Sequence, residues 1–209
     1  MKFMPTNERN VLSIAAAENC DTDSLPFVQQ VFFRRYQSSF DPEMGAVATA
    51  ILFAGHCGAV VEFGGAKVGI DAARAIRTIV PDVEEILPLD GMKREIGQGG
   101  SSIVVGDADR ILGGAVARDG IARSSRIVTW SGDFIGAGER NSSRHIAGDI
   151  FTNALLVATS TSISVAIALL VAGRGLRDIF VPKPEKNDAA EFRRLAKGLD
   201  FVGIKLRAI

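Results

Sequence analysis

The segment from Ile150 to Gly173 constrains the fold more than any other, because no charged residue interrupts it between Asp149 and Arg174. A run of that length must be buried, in protein or in lipid. Its centre, Thr159-Ser160-Thr161-Ser162-Ile163-Ser164, is a polar knot that a membrane-spanning helix would place in hydrocarbon. The flanks, Ala154-Leu155-Leu156-Val157 and Val165-Ala166-Ile167-Ala168-Leu169-Leu170, have strand length. The pattern therefore predicts a buried hairpin inside a sheet, and no membrane span. The polar start, MKFMPTNERN, is broken by Pro5 and does not read as a signal peptide, so the expected compartment is the cytoplasm.

Composition agrees with a globular chain of one domain over 1–209. Hydrophobic residues make up 47% and charged residues 23%, enough apolar surface to close a core. Basic and acidic residues balance at 24 each, which argues against a generic nucleic-acid binder, since such proteins carry a basic surplus. Cys20 and Cys57 read as small buried hydrophobes. With only His56 and His145 besides, no ligand spacing for zinc is present, and no metal site is expected.

Along the chain, residues 1–55 read as a helical portion packed on an α/β core over 56–209. Val11, Leu12, Ala15 and Ala16 recur at helical spacing, Asp23-Ser24 before Leu25-Pro26 resembles a cap, and Phe27, Val28, Val31 and Phe32 form a stripe. Asp41-Pro42-Glu43 starts a further helix running to Gly55. Strands are expected at Ala59–Phe63, Ser102–Val105 and Ile111–Val116, the last two as a hairpin, and at Asp178–Val181 and 201–206. Helices are expected from Asp71 to Val80 and from Ala189 to Leu199. Residues 117–143 read as a long surface loop holding one short strand at Ile127–Trp130. No internal repeat is evident. The fold class is α/β: a mixed β-sheet flanked by helices, with an N-terminal helical segment.

Small and hydroxyl-bearing residues collect in places that suit a phosphate. Gly97-Gln98-Gly99-Gly100-Ser101-Ser102 opens into a strand, and its N–H groups can form a nest around an anion; the same residues also suit a plain tight turn. Asn141-Ser142-Ser143-Arg144-His145 enters a helical segment, where hydroxyls, a guanidinium and an imidazole would meet the positive end of a dipole; Ser142 or Ser143 could equally serve as a helix cap. Ser160, Thr161 and Ser162 lie in the expected turn between buried strands, where hydroxyls reach ligands or satisfy turn backbone. The candidate phosphate-binding residues are Gly99, Gly100, Ser101, Ser102, Ser142, Ser143, Arg144, His145, Ser160, Thr161 and Ser162.

The order of these motifs resembles the diadenylate cyclase domain found at the amino end of DNA-integrity-scanning proteins. Gly58-Ala59-Val60-Val61 resembles its first strand, and Gly100-Ser101-Ser102-Ile103-Val104-Val105 falls where its Asp-Gly-Ala motif opens a hairpin. Ser142-Ser143-Arg144-His145 is similar to its Gly-Thr-Arg-His motif, and Ser160 to Ala166 to its last turn and strand. The resemblance covers roughly residues 45–172. It implies a nucleotide-binding domain whose partner is an adenine nucleotide or a cyclic dinucleotide. Two departures stand out: Gly100 replaces the family's metal-linked aspartate, and Ile146 replaces the second arginine of Arg-His-Arg. Phosphoryl transfer depends on such charges, so the resemblance implies a sensor-like, catalytically degenerate domain without an assured cofactor. An active cyclase would need Mg²⁺ or Mn²⁺ on another carboxylate, such as Asp107, Asp109 or Asp119. A ligand-free assembly protein is the further alternative, and homo-oligomerisation stays open.

Overall fold

The computed structural model describes residues 1–18, 28–36, 40–91, 100–111, 125–132 and 150–209. The mixed α/β architecture is as expected, but the chain does not begin with helices. Strands β1 (Lys2–Glu8) and β2 (Val11–Ala17) form an antiparallel hairpin, and β3 (Gln30–Arg34) adds to β2. Arg9 and Asn10 close the hairpin with φ of 46° and 67°, the two left-handed positions that a tight two-residue hairpin turn requires. The period decides the outcome: Leu12, Ile14 and Ala16 are buried in alternation along β2, as are Val31 and Phe33 along β3. The helical spacing in 11–16 was a coincidence of neighbouring apolar residues. The expected cap at Asp23-Ser24 lies outside the described residues.

Helix α1 (Pro42–Leu52) starts where its signal lies, with the Asp41 carboxylate accepting the N–H groups of Glu43 at 3.0 Å and Met44 at 3.1 Å. Then come β4 (Val60–Phe63), β5 (Val68–Gly69), α2 (Ile70–Ile79), β6 (Glu85–Leu87) and β7 (Leu89–Asp90). The second half runs through β8 (Ser101–Asp107), the single turn α3 (Ala108–Arg110), β9 (Arg126–Gly132) and β10 (Ile150–Thr152). It ends with α4 (Ser160–Ala172), β11 (Leu176–Val181), α5 (Ala189–Asp200) and β12 (Lys205–Ala208).

The central uncharged stretch is therefore a helix, not the expected hairpin. Thr159 caps α4 by accepting the Ser162 N–H at 3.2 Å, and residues from Thr161 to Leu170 are all buried. A helix buried on every side has no polar face, so its sequence carries no 3.6-residue signature to separate it from strands. At 13 residues α4 is too short to cross a bilayer, and no helix among the described residues is long and apolar enough to do so.

The expected hairpin from Ser102 is also replaced. Both edges of β8 are occupied by parallel neighbours, β9 and β11, and the chain turns into α3 after Asp107. Residues 112–116 lie outside the described residues. β9 is correspondingly an inner strand, where Trp130 is fully buried and donates Nε1–H to Ser164 Oγ at 2.9 Å.

The ten-stranded sheet has the order β12-β11-β8-β9-β10-β3-β2-β1-β4-β6. Read outward from its centre, both halves follow one plan: third strand, second, first, fourth, fifth. The third strands, β3 and β10, pair antiparallel, as a twofold relation requires. α1 and α4 each lead from the third to the fourth strand and pack together, and α2 and α5 each lead from the fourth to the fifth and do the same. Gly198 allows the α2–α5 approach, since a Cβ there would lie 2.4 Å from Ile79. A sequence echo follows: Ile51-Leu52-Phe53-Ala54-Gly55 matches Leu169-Leu170-Val171-Ala172-Gly173, and Asp71-Ala72-Ala73 matches Asp188-Ala189-Ala190. The likeness of the two halves escapes a reading of the sequence alone because it is confined to these short pieces. The halves differ in that β1, β2 and β3 alternate in direction, whereas β8, β9 and β10 run parallel.

One hydrophobic cluster from Met1 to Ile204 fills the space between the sheet and these four helices. On the opposite face of the second half, Val104 and Ile111 make a small separate cluster with Phe180 and Ile209 packed against it.

Candidate anion-binding cleft

A bulge in β11 builds the most distinctive polar site. Leu176 pairs with Ser101 and Asp178 with Ser102, so Arg177 is an extra residue on its strand. Bulges of this kind re-aim side chains. Leu176 and Ile179 enter the main core, while Arg177, Asp178 and Phe180 line a cleft on the other face. Gly100 makes the bulge possible, because a Cβ on it would sit 2.3 Å from Arg177 Cβ.

The Asp178 side chain is only 7% exposed, and both of its oxygens are engaged. Oδ2 accepts Arg177 Nε–H at 2.8 Å, and Oδ1 accepts Arg207 Nε–H at 3.0 Å. Burial alone would raise this carboxyl, but the two guanidinium hydrogen bonds and their charges outweigh it and hold it below the usual carboxylate range. Asp178 therefore stays ionised and fixes both arginines by one nitrogen each. Their side chains remain 68% and 58% exposed, and among the described residues the terminal nitrogens of each guanidinium make no further hydrogen bond.

Two positive groups around one negative leave the cluster with one net positive charge. Ser102 and Ser125 supply hydroxyls, and Phe180, Ala208 and Ile209 supply apolar wall. Ser125 Oγ is buried with no hydrogen-bond partner among the described residues, a cost that a bound acceptor or donor would remove. The cleft is open to solvent and offers about 560 Å³, within the range of small-molecule sites.

The residues singled out in the sequence divide between separate places. Gly100 supports the bulge, Ser101 Oγ donates to Gly175 O at 3.1 Å, and Ser102 lines the cleft. Ser160 and Thr161 lie instead at a narrow crevice beyond the other end of β8, with Asp107, Arg110, Ser164 and Pro182. At ~3.3 Å per residue the length of β8 separates the two groups by about 20 Å, so they do not share one cavity. Ser162 faces a third direction, donating to Glu191 Oε1 at 2.5 Å. Gly99, Ser142, Ser143, Arg144 and His145 lie outside the described residues, as does Cys20. Cys57 is buried, which pushes its thiol up to about 12 and leaves it inert.

Arg177, Asp178 and Arg207 were missed by sequence reasoning. The available signal was the pair Arg177-Asp178 inside an otherwise apolar strand, where neighbouring charges break the alternation that a regular strand would show.

No family model matches the chain, and neither a curated protein nor a solved structure matches it. Within the cyclase resemblance, the segments at Gly58–Val61 and Gly100–Val105 do lead into or form strands, β4 and β8. The segment from Ser160 to Ala166, expected as turn and strand, is the start of α4. Among the described residues no group of three His, Cys, Asp or Glu side chains is placed to hold a metal ion.

Proposed function

We propose that this chain is a nucleotide-binding, sensor-like domain that holds ligand phosphate on Arg177 and Arg207. The observation that carries the reading is the pair of guanidiniums held by one buried carboxylate. An arginine that is oriented beforehand loses less freedom on meeting a phosphate, and its planar fork matches phosphate oxygens. Ser102 adds a donor from the motif that the sequence had marked as phosphate-like, and Phe180 offers a ring beside the charged end. An adenine nucleotide or a cyclic dinucleotide is the ligand suggested by the cyclase resemblance. Binding without turnover fits the local chemistry better than cyclisation. Asp178 is committed to two arginines, and Gly100 has no room for the side chain that the family uses.

Titration with ATP, AMP and cyclic di-adenosine monophosphate, followed by calorimetry, tests the reading. One of these should bind saturably, and Arg207→Ala should weaken it about ten- to a hundredfold, the worth of a charge-assisted contact of ~1.5–3 kcal/mol. Equal affinity for the variant and the parent would refute the assignment. Formation of a cyclic dinucleotide from ATP with Mn²⁺ would instead favour the active-enzyme alternative.

A further inference from the structure

Phosphate binding on the arginine pair leaves one group of the same cleft without a role. Ser125 Oγ is the one buried side-chain polar atom among the described residues that has no hydrogen-bond partner. A hydroxyl in that state destabilises the fold, because its water has been removed and nothing replaces it. Ser125 also lines the cleft. The residue is half-buried at the wall, so a turn about its single χ1 angle brings the hydroxyl to the cleft, where a ligand can supply the missing partner.

Strand register sets how far this hydroxyl lies from the arginines. Ser125 directly precedes β9, whose Arg126 pairs with Ile103, which places it beside Ser102. Ser102 pairs in turn with Asp178. Ser125, Ser102 and Asp178 therefore form a row across β9, β8 and β11, three adjacent strands. At ~4.8 Å per strand the row spans about 10 Å. A phosphate held by Arg177 and Arg207 sits at the Asp178 end, where both guanidiniums are anchored. The ligand group that meets Ser125 must then lie about 10 Å from that phosphate, beyond the ribose of a nucleotide and within reach of its base. Phe180, the other neighbour that could take a base, packs on Val104 and Ile111.

We propose that Ser125 is a specificity-determining residue whose hydroxyl bonds the edge of a nucleobase while Arg177 and Arg207 hold the phosphate. The cleft then selects a nucleoside phosphate over a sugar phosphate. A serine hydroxyl both donates and accepts, so it can complete a base edge of either polarity. The proposal rests on the nucleotide reading of this cleft.

Calorimetric titration of the whole chain with AMP and with ribose 5-phosphate, which lacks only the base, tests it. AMP should bind about tenfold more tightly than ribose 5-phosphate. Ser125→Ala should lower AMP affinity about tenfold and leave that for ribose 5-phosphate unchanged. The same substitution should raise the melting temperature of the ligand-free protein by about 2 °C or more, because it deletes an unsatisfied buried hydroxyl. A serine with a purely structural role would do the reverse, lowering the melting temperature and leaving the preference for AMP intact. Arg207→Ala should weaken both ligands alike, and so reports on the phosphate reading by itself. If Arg207→Ala does so while Ser125→Ala leaves AMP affinity unchanged, or if ribose 5-phosphate binds as tightly as AMP, the role of Ser125 is refuted and the phosphate reading stands. If neither ligand binds, both are refuted.

Discussion

Replacing Gly100 by alanine tests whether the bulge and the arginine pair are one construction. The added Cβ would lie 2.3 Å from Arg177 Cβ, 2.9 Å from its Cδ and 3.0 Å from its Cγ. Ordinary carbon contacts begin at ~3.5 Å, so the gap must open by more than about 1 Å. The distal atoms of Arg177 can swing aside, but its Cβ is fixed to the backbone, and so β8 and β11 must separate or the bulge must shift. Overpacking of this kind costs about 1–3 kcal/mol. For a chain of this size that corresponds to a fall in melting temperature of about 2–4 °C per kcal/mol. Displacing Arg177 should also release its bond to Asp178 and weaken phosphate-ligand binding. Thermal melts and calorimetric titrations of Gly100→Ala against Gly175→Ala make the comparison, because a Cβ at Gly175 meets nothing within 4 Å. An unchanged melting temperature with unchanged affinity in Gly100→Ala would refute the argument. Gly100→Asp, which would introduce the aspartate of the motif that the sequence resembles, meets the same clash and should likewise lose stability.

Asp178 has a folded-state pKa below its unfolded value near ~3.9, so its stabilisation is complete above that value and is lost as pH falls toward the folded one. The melting temperature of the parent should therefore fall more steeply than that of Asp178→Asn on acidification from pH ~5 to ~3, as differential scanning calorimetry can read. Ser164→Ala leaves the buried Trp130 Nε1–H without its acceptor and should cost about 1–3 kcal/mol in urea unfolding followed by the fluorescence of the sole tryptophan. Asn10→Val places a β-branched residue at φ 67° and should cost about 1–2 kcal/mol, whereas Asn10→Gly should be neutral or stabilising; equal stabilities of the two variants would argue against the tight hairpin turn.

Local chemistry in the sequence by itself determined much of the secondary structure. Asp41-Pro42 stops the chain from being anything but a helix start, because a carboxylate cap and a proline at the first position satisfy the orphan end of α1. The amphipathic runs of α2 and α5 and the apolar runs of β4, β8 and β11 were legible for similar reasons, as each carries its period or its breakers within a few residues. Only the tertiary structure decided that Ser160–Ala172 is a helix. Its surroundings are apolar on every side, so burial rewards either conformation and the choice rests on neighbours contributed by distant strands. The β1–β2 hairpin was likewise hidden, since its turn uses Arg9 and Asn10 in place of the usual glycine. The cleft is the clearest case. Ser102, Asp178 and Arg207 come from adjacent parallel strands linked by long crossovers, and their meeting depends on register and on one extra residue in β11. Hydrogen bonding between strands sets both, and no local signal in the chain encodes that pairing.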